Sequence, residues 1–179
     1  LYDFGIDAGV DTLTSWMRAV SLCAPRIRGG QALLIGETDP TLAQSLMLWN
    51  STLLAQTELR EREQTALPPV FAAACVWGRR DAVKVTLERI GALGGGDLSA
   101  IETTEGMLPS VLGPVPIPQP RTIDSRELEG TADRVKAVVR VPQSRRGELA
   151  LRLRSASARH VAAREPGELR FQLDPKERI

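Results

Sequence analysis

The side chains of this chain best suited to binding chemistry are the arginines and lysines of its C-terminal third. Residues 1–120 hold 9 Lys or Arg and 13 Asp or Glu, a net charge of −4, whereas residues 121–179 hold 14 and 9, a net charge of +5. Cationic side chains bind nucleic-acid phosphates and release the counterions around them. The charge asymmetry therefore favours an anionic partner bound by the C-terminal third.

The candidate phosphate contacts are six cationic residues of this segment: Arg121, Arg126, Arg134, Lys136, Arg140 and Arg146. The alternative is a solvated face in which acids such as Asp133 and Glu148 neutralise them. Aromatic residues make up 4% of the chain, and none lies between positions 121 and 170. Because base stacking needs a flat π surface, we expect contacts mainly to phosphate, with weak base specificity.

No pattern of residues predicts catalysis or a bound metal in this chain. His160 is the sole histidine, and we expect it on the surface near a helix end rather than in a catalytic triad. Glu58, Glu61 and Glu63 alternate with arginines, which indicates a solvated, self-paired helix face. The glycines at 94–96 indicate a helix stop, and no G-x-x-x-x-G-K-[ST] loop is present to hold phosphates.

Cysteine usage and hydropathy predict a cytoplasmic protein. Cys23 and Cys75 lie far apart without a Cys-x-x-Cys pattern, which indicates reduced thiols rather than a disulfide or zinc site. No run of eighteen apolar residues and no signal-peptide pattern occurs. Because the chain begins without methionine, we expect it to be a fragment whose upstream portion is missing.

Three elements are predicted before the double proline Pro68-Pro69. Apolar residues at helical spacing predict a helix over 11–22. An apolar run between glycines predicts a buried strand over 31–36. A long helix is predicted over 41–65, started by Asp39 and Pro40 and stopped by the double proline.

A second series of elements is predicted after the double proline. They are a strand over 70–77, a helix over 81–90, strands over 107–113 and 135–141, a helix capped by Ser144, and a strand over 169–173. In the strand over 135–141, Lys136 and Arg140 form a basic outer face. The residues after Ser144 are also compatible with a strand. The order predicts an α+β fold, the ferredoxin-like split βαβ domain.

Several short motifs follow one another along the chain. They are the strand from Gly30-Gln31 to Ile35, the run from Glu58 to Arg62, Leu67-Pro68-Pro69, Val111 to Pro114, Gln143-Ser144-Arg145 and Asp174-Pro175. In this order they resemble the C-terminal region of the PriA family, also called primosomal protein N-prime. The resemblance covers most of the chain. It implies that residues 1–40 are the edge of a degenerate second helicase lobe, 41–67 a connecting helix, and 68–179 the PriA-like C-terminal domain.

What the resemblance implies about function is a DNA-binding and protein-docking role. In the family this domain has a ribosomal-protein-like fold and binds branched and single-stranded DNA. It also helps to receive the acidic, Phe-terminated tail of single-stranded-DNA-binding protein. Arg145 falls where the family has an arginine that contacts this tail, whereas Leu149 stands where a polar residue is common.

A departure from the family pattern bears on catalysis. The paired Gly-Arg dipeptides that reach the ATP phosphates in family helicases do not occur in residues 17–28. The chain thus resembles actinobacterial-type members that have lost helicase motifs. The parent family is an ATP-dependent DNA helicase, and the resemblance places its ATP and zinc upstream, so we expect no cofactor in this chain.

The leading hypothesis is a replication-restart module that binds forked or single-stranded DNA by phosphate contacts. Its expected partners are DNA, the tail of single-stranded-DNA-binding protein, and proteins that load the primosome or the replicative helicase. We expect it in the cytoplasm at the nucleoid. There are two alternatives. In the first, the chain is part of an active helicase whose catalytic motifs lie upstream. In the second, it is a ferredoxin-like protein-interaction domain that does not bind DNA.

Overall fold

The computed structural model describes residues 7–117 and 133–175, which divide into two compact units. The division falls between residues 61 and 62, and we refer to the N-terminal unit and the C-terminal unit. Among the residues described, no helix is long and apolar enough to cross a membrane. The assignment of residues 1–40 to a degenerate helicase lobe, of 41–67 to a connecting helix and of 68–179 to the C-terminal domain stays a prediction.

The N-terminal unit is helical. Its elements are α1 (Ala8–Ser21), a 3-10 turn (Arg26–Arg28), α2 (Pro40–Met47) and the start of α3 (Thr52–Gln64). The predicted first helix is confirmed, and Leu13 of α1 is buried. The predicted start of the next helix is also confirmed. The Asp39 Oδ1 atom accepts hydrogen bonds from the amides of Thr41 and Leu42, at 2.8 and 3.1 Å.

The strand predicted over 31–36 is wrong. These residues are irregular, and Leu33 and Ile35 are 85% and 91% exposed. A strand forms only where a neighbouring strand satisfies its amides and carbonyls. Within residues 7–61 the structure contains no strand, so this apolar segment has none to pair with.

The single helix predicted over 41–65 is also wrong, because it is two helices. Trp49 has φ 52°, a left-handed conformation that ends α2. The Asn50 Oδ1 atom then accepts the Thr52 amide at 3.0 Å, which is the side-chain hydrogen bond that begins α3. Asparagine next to a residue of positive φ favours a turn over a continuing helix.

The C-terminal unit contains a four-stranded antiparallel sheet with the order β4-β5-β1-β6. Its elements are β1 (Phe71–Arg79), α4 (Arg80–Arg89), β2 (Ala100–Thr103), β3 (Gly106–Pro109), β4 (Val111–Pro116), β5 (Arg134–Pro142), α5 (Arg146–Ala162) and β6 (Leu169–Leu173). Omitting the β2-β3 hairpin, the order is strand, helix, strand, strand, helix, strand. The predicted split βαβ fold is confirmed.

The core lies between one face of this sheet and helices α4 and α5. It is formed by alternate strand residues and by the inward stripes of both helices: Val76, Val83, Leu87, Val135, Val139, Leu149 and Leu153. Because strand side chains alternate, the residues between those core positions point to the opposite side, which we call the outer sheet face.

The strand predicted over 107–113 is wrong in extent, because it is divided at Ser110 between β3 and β4. Strand β3 pairs with β2 in a separate hairpin. The Ser110 amide donates to the Ser99 carbonyl at 3.0 Å, and its carbonyl accepts the Arg140 amide at 2.8 Å. Ser110 is therefore the point at which the chain passes from the hairpin to the main sheet.

The predicted cap of α5 is wrong as well. A 3-10 turn (Gln143–Arg145) precedes the helix, Arg145 occupies the N-cap position, and no side-chain hydrogen bond caps it. Ser144 lies inside that turn. The preceding proline, Pro142, has the extended conformation that ends β5 directly before the turn.

One glycine sets the spacing of the sheet. Gly78 in β1 has φ 147°, and a Cβ atom there would lie 1.9 Å from the Glu168 carbonyl oxygen. A side chain at this position would therefore push β6 away from β1. Glycine allows the close approach that places Arg170 of β6 directly opposite Trp77 of β1.

Candidate nucleic-acid interface

Two of the predicted DNA contacts, Arg134 and Lys136, lie together on the outer sheet face. They alternate along β5 with Val135 and Ala137, which are buried in the core beneath the helices. Both cationic side chains are half-buried. Strand alternation, which the sequence pattern predicted here, is what presents two cations on one surface.

Neighbouring strands add two further cations to this face, Arg79 of β1 and Arg170 of β6. Arg79 lies directly opposite Arg134, and both Lys136 and Arg170 are opposite Trp77. The sequence reasoning did not include Arg79 or Arg170 as contacts. Arg170 had a signal in the sequence, because it stands between the apolar residues Leu169 and Phe171. The strand register was needed to bring it together with Arg79, Arg134 and Lys136.

We call Arg79, Arg134, Lys136 and Arg170 the outer-face cations. Glu168 lies among them and pairs with Arg134 at 2.9 Å and with Arg170 at 2.9 Å. Arg79 pairs with Asp81 at 3.3 Å. Glu168 and Asp81 are thus two carboxylates that pair with three of these four cations. Like charges directly opposite each other, as at Arg79 and Arg134, are unfavourable within a sheet.

The predicted exposure of Arg140 is wrong. This residue is 4% exposed, and its guanidinium donates to the backbone carbonyls of Thr65, at 2.5 Å, and Pro109, at 2.6 Å. Burial lowers the pKa of Arg140 below its usual value. Arg140 fastens the segment after α3 and the end of β3 to the central strand β5. The structure therefore offers no exposed guanidinium at this position to a DNA phosphate.

Arg145 lies at the start of α5, in the helical layer. Its guanidinium binds Asp97 and Glu148, and Arg152 binds the same two carboxylates. Hydrogen bonds from Arg152 and Arg145 hold the pKa of Asp97 well below its usual range, and hydrogen bonds to Glu148 and Asp97 raise that of Arg145. We call these four residues the ionic cluster; it joins α5 to the loop after α4.

Arg146 is also in the helical layer, where its Nε atom pairs with the Asp174 carboxylate at 2.6 Å. The six predicted DNA contacts therefore do not form one track. Arg134 and Lys136 share the outer sheet face, Arg140 is buried, and Arg146 lies at the start of α5. Arg121 and Arg126 fall outside the described residues.

His160 is placed differently from the expectation, because it is buried rather than on the surface, although it does lie near the end of α5. Its Nδ1 atom is 3.1 Å from Glu165 and its Nε2 atom 2.9 Å from the Gly167 carbonyl. Hydrogen bonds from Arg89 lower the pKa of Glu165 to about 2. These contacts hold the loop between α5 and β6 in place.

The structure contains no arrangement that indicates a metal centre within residues 7–117 and 133–175, where no three His, Cys, Asp or Glu side chains come close enough to share an ion. Cys23 is exposed and Cys75 is buried, and both are free thiols. Burial raises the pKa of the Cys75 thiol, and Lys136 opposes this shift.

Together, the fold and the outer-face cations define an α+β domain of the split βαβ type with one basic sheet face. A family model described as "Primosomal protein N C-terminal domain" matches residues 63–176, which is more than half of the chain. The chain belongs to this family, the C-terminal domain of primosomal PriA proteins of replication restart, as its sequence motifs predicted.

Similar proteins extend the match beyond that domain. The chain is 31% identical over 175 residues to the "Probable replication restart protein PriA" of Mycobacterium leprae (strain TN), covering 94% of this chain and 24% of that protein. It is 30% identical over 172 residues to the protein of the same name from Mycobacterium tuberculosis (strain ATCC 25618 / H37Rv), covering 94% and 25%. The chain thus spans about a quarter of the length of these relatives.

Proposed function

We propose that this chain is a non-catalytic DNA-binding module of a replication-restart protein. It binds forked or single-stranded DNA through phosphate contacts on the outer sheet face. The observation that carries the proposal is the convergence of Arg79, Arg134, Lys136 and Arg170 from three strands onto that face. Membership of a replication-restart family supports DNA as the anion.

The electrostatics of this face support the same conclusion. Arg79 and Arg134 oppose each other across a strand pair, which costs stability unless anions neutralise them. Asp81 pairs with Arg79, and Glu168 pairs with Arg134 and Arg170. Because these ion pairs are partly exposed and therefore weak, a phosphate backbone competes for the cations and gains affinity from the counterions that it releases.

Salt-dependent binding tests the proposal. Four phosphate contacts on a single strand, at about 0.7 log units each, predict a slope of about −3 in a plot of log affinity against log salt. Binding of a single-stranded or forked oligonucleotide is therefore expected to weaken roughly 50-fold between 50 and 200 mM salt. Fluorescence anisotropy of a labelled oligonucleotide measures both quantities.

A pair of variants locates the contacts. Lys136→Ala on the outer face is expected to lower affinity for every sequence and to reduce the salt slope by about 0.7. Arg154→Ala, which removes an exposed cation from α5, is the matched control and is expected to leave the slope unchanged. Equal slopes for the two variants, or salt-independent binding by the unmodified chain, would contradict the proposal.

A second element of the proposal is docking of the acidic tail of single-stranded-DNA-binding protein at Arg145. It is supported by the resemblance at this position and by the partial exposure of Arg145, whose side chain is 32% exposed. The guanidinium already binds Asp97 and Glu148. Carboxylates of the tail therefore compete with these two residues, which predicts weak, salt-sensitive docking.

Peptide capture by two matched variants tests this docking. A synthetic acidic peptide ending in Phe is expected to bind the unmodified chain and to lose binding to Arg145→Ala. Arg152→Ala removes a cation from the same ionic cluster, so it controls for loosening of that cluster. If Arg145→Ala captures the peptide as well as the unmodified chain does, or if both variants lose capture equally, Arg145 is not the docking residue.

The cellular setting belongs to the same proposal. We place the module in the cytoplasm at the nucleoid, where it cooperates with proteins that load the primosome or the replicative helicase. Family membership supports this setting, because both relatives are named replication restart proteins. Capture of such loading proteins by the DNA-bound chain, compared with the DNA-free chain, tests whether the module joins them at DNA.

A further inference from the structure

Trp77 lies on the outer sheet face, near the end of β1. It lies on β1, a central strand of the sheet, between core residue Val76 and Gly78. Because Val76 points toward the helices, the neighbouring Trp77 points to the outer face. The side chain is half-buried, so part of it is exposed to solvent. No other tryptophan occurs in the C-terminal unit.

Cations lie on both sides of this indole. Trp77 is directly opposite Lys136 on β5 and directly opposite Arg170 on β6. Two strand spacings separate Lys136 from Arg170, a distance of about 10 Å. A nucleic-acid strand that crosses β1 at this point therefore meets a cation, an aromatic ring and a second cation in succession.

Apolar side chains continue this row toward the sheet edge. Val115 of β4 lies opposite Lys136, and Leu112 of the same strand lies opposite Val138. They are 56% and 41% exposed. Exposed apolar groups beside cations suit a ligand that has both flat apolar faces and negative charge. Unpaired nucleotides have both, whereas the stacked bases of a duplex cover their faces.

We propose that Trp77 is a base-stacking residue for single-stranded nucleic acid, with Lys136 and Arg170 holding the phosphates on either side of the stacked base. This inference rests on the proposed DNA binding and specifies its contact. It also alters the expectation that the contacts are mainly to phosphate. The linear sequence separates Trp77 from the basic segment by more than fifty residues, and the strand register brings them together.

Affinity for two matched ligands tests the stacking role. Trp77→Leu is expected to weaken binding of an oligothymidylate roughly 5- to 150-fold, the range found for loss of one base-aromatic stack. Binding of a duplex of equal length changes less than 2-fold, because its bases are already stacked. Trp77→Phe keeps a flat ring and is expected to retain most of the affinity. Trp49→Leu, in the N-terminal unit, is the control variant.

Tryptophan fluorescence provides a second measurement on the whole chain. In a background with Trp16→Phe and Trp49→Phe, Trp77 is the only tryptophan of the chain. Oligothymidylate is expected to quench its emission, whereas an abasic strand of equal length binds without that quenching. Circular dichroism and thermal unfolding verify that each variant is folded.

The outcomes separate this inference from the proposal on which it rests. If the unmodified chain binds neither oligothymidylate nor duplex, both are wrong. If it binds DNA but Trp77→Leu binds oligothymidylate equally well, or loses both ligands to the same extent, the phosphate proposal survives and the stacking role is refuted. Equal quenching by the abasic strand also refutes stacking.

Discussion

The buried guanidinium of Arg140 makes the sharpest prediction about stability. Replacement by alanine removes two charge-assisted hydrogen bonds, to the carbonyls of Thr65 and Pro109. It leaves both carbonyls without these donors and creates a cavity between β5 and the segments that Arg140 fastens. The change therefore loosens two chain segments at once.

The expected magnitude follows from those two bonds. A hydrogen bond to a charged group contributes about 1.5–3 kcal/mol, so two contribute about 3–6 kcal/mol. Release of the guanidinium from its buried position offsets part of this loss. We expect Arg140→Ala to lower the free energy of unfolding by about 3 kcal/mol. For a domain of this size, the midpoint of thermal unfolding then falls by roughly 12 °C.

Urea unfolding followed by circular dichroism measures the change, with Lys136→Ala as the control. Lys136 lies on the same strand and the same face and has the same charge, but it is only half-buried. We expect its removal to change the free energy of unfolding by less than about 1 kcal/mol. Arg140→Met keeps much of the side-chain volume and leaves a smaller cavity, so it should lower the free energy of unfolding less than Arg140→Ala does.

Two results would show that the reasoning about Arg140 is wrong. The first is an unfolding free energy for Arg140→Ala that lies within 1 kcal/mol of the unmodified chain. The second is a loss of DNA affinity in Arg140→Ala at unchanged stability, since a buried guanidinium has no phosphate to contact. Either result would mean that this residue is exposed in solution.

Two further predictions concern protonation and thiol chemistry. The pKa of Glu165 is about 2 in the folded chain, below its usual value, so its contribution to stability is complete above about pH 4.5 and is lost as the pH falls toward 2. As the pH is lowered, the free energy of unfolding should therefore fall less steeply for Glu165→Gln than for the unmodified chain. Parallel curves for the two proteins would contradict this role of Glu165. Cys23 is exposed and Cys75 is buried with a raised pKa, so a thiol reagent should label Cys23 quickly and Cys75 only after unfolding. Rapid labelling of both thiols in the folded chain would overturn that placement.

The elements that sequence patterns predicted well are those in which local periodicity and burial agree. Strand β5 alternates core valines with cations, and α4 places Val83 and Leu87 on one buried stripe. The wrong prediction over 31–36 has another cause. The apolar run 31–36 has the composition of a strand, but pairing depends on a neighbouring strand, which composition does not specify.

The candidate site was predicted in part. Arg134 and Lys136 could be assigned to one face because alternation along a single strand is a local property. Arg140 has the same parity as these two residues, yet it is buried, because the hairpin strand β3 and the segment after α3 supply carbonyls at that end of the strand. No local pattern distinguishes a cation that faces solvent from one that faces another chain segment.

Sequence alone dictates the family, the split βαβ order of elements and the concentration of positive charge near the C-terminus, because motifs, periodicity and charge are properties of the linear chain. Tertiary structure decides which cations share a surface, and it places Trp77 between two of them. The physical reason is strand pairing: hydrogen bonds between β1, β5 and β6 set a register that joins residues from positions 77, 136 and 170. That register depends on the whole sheet.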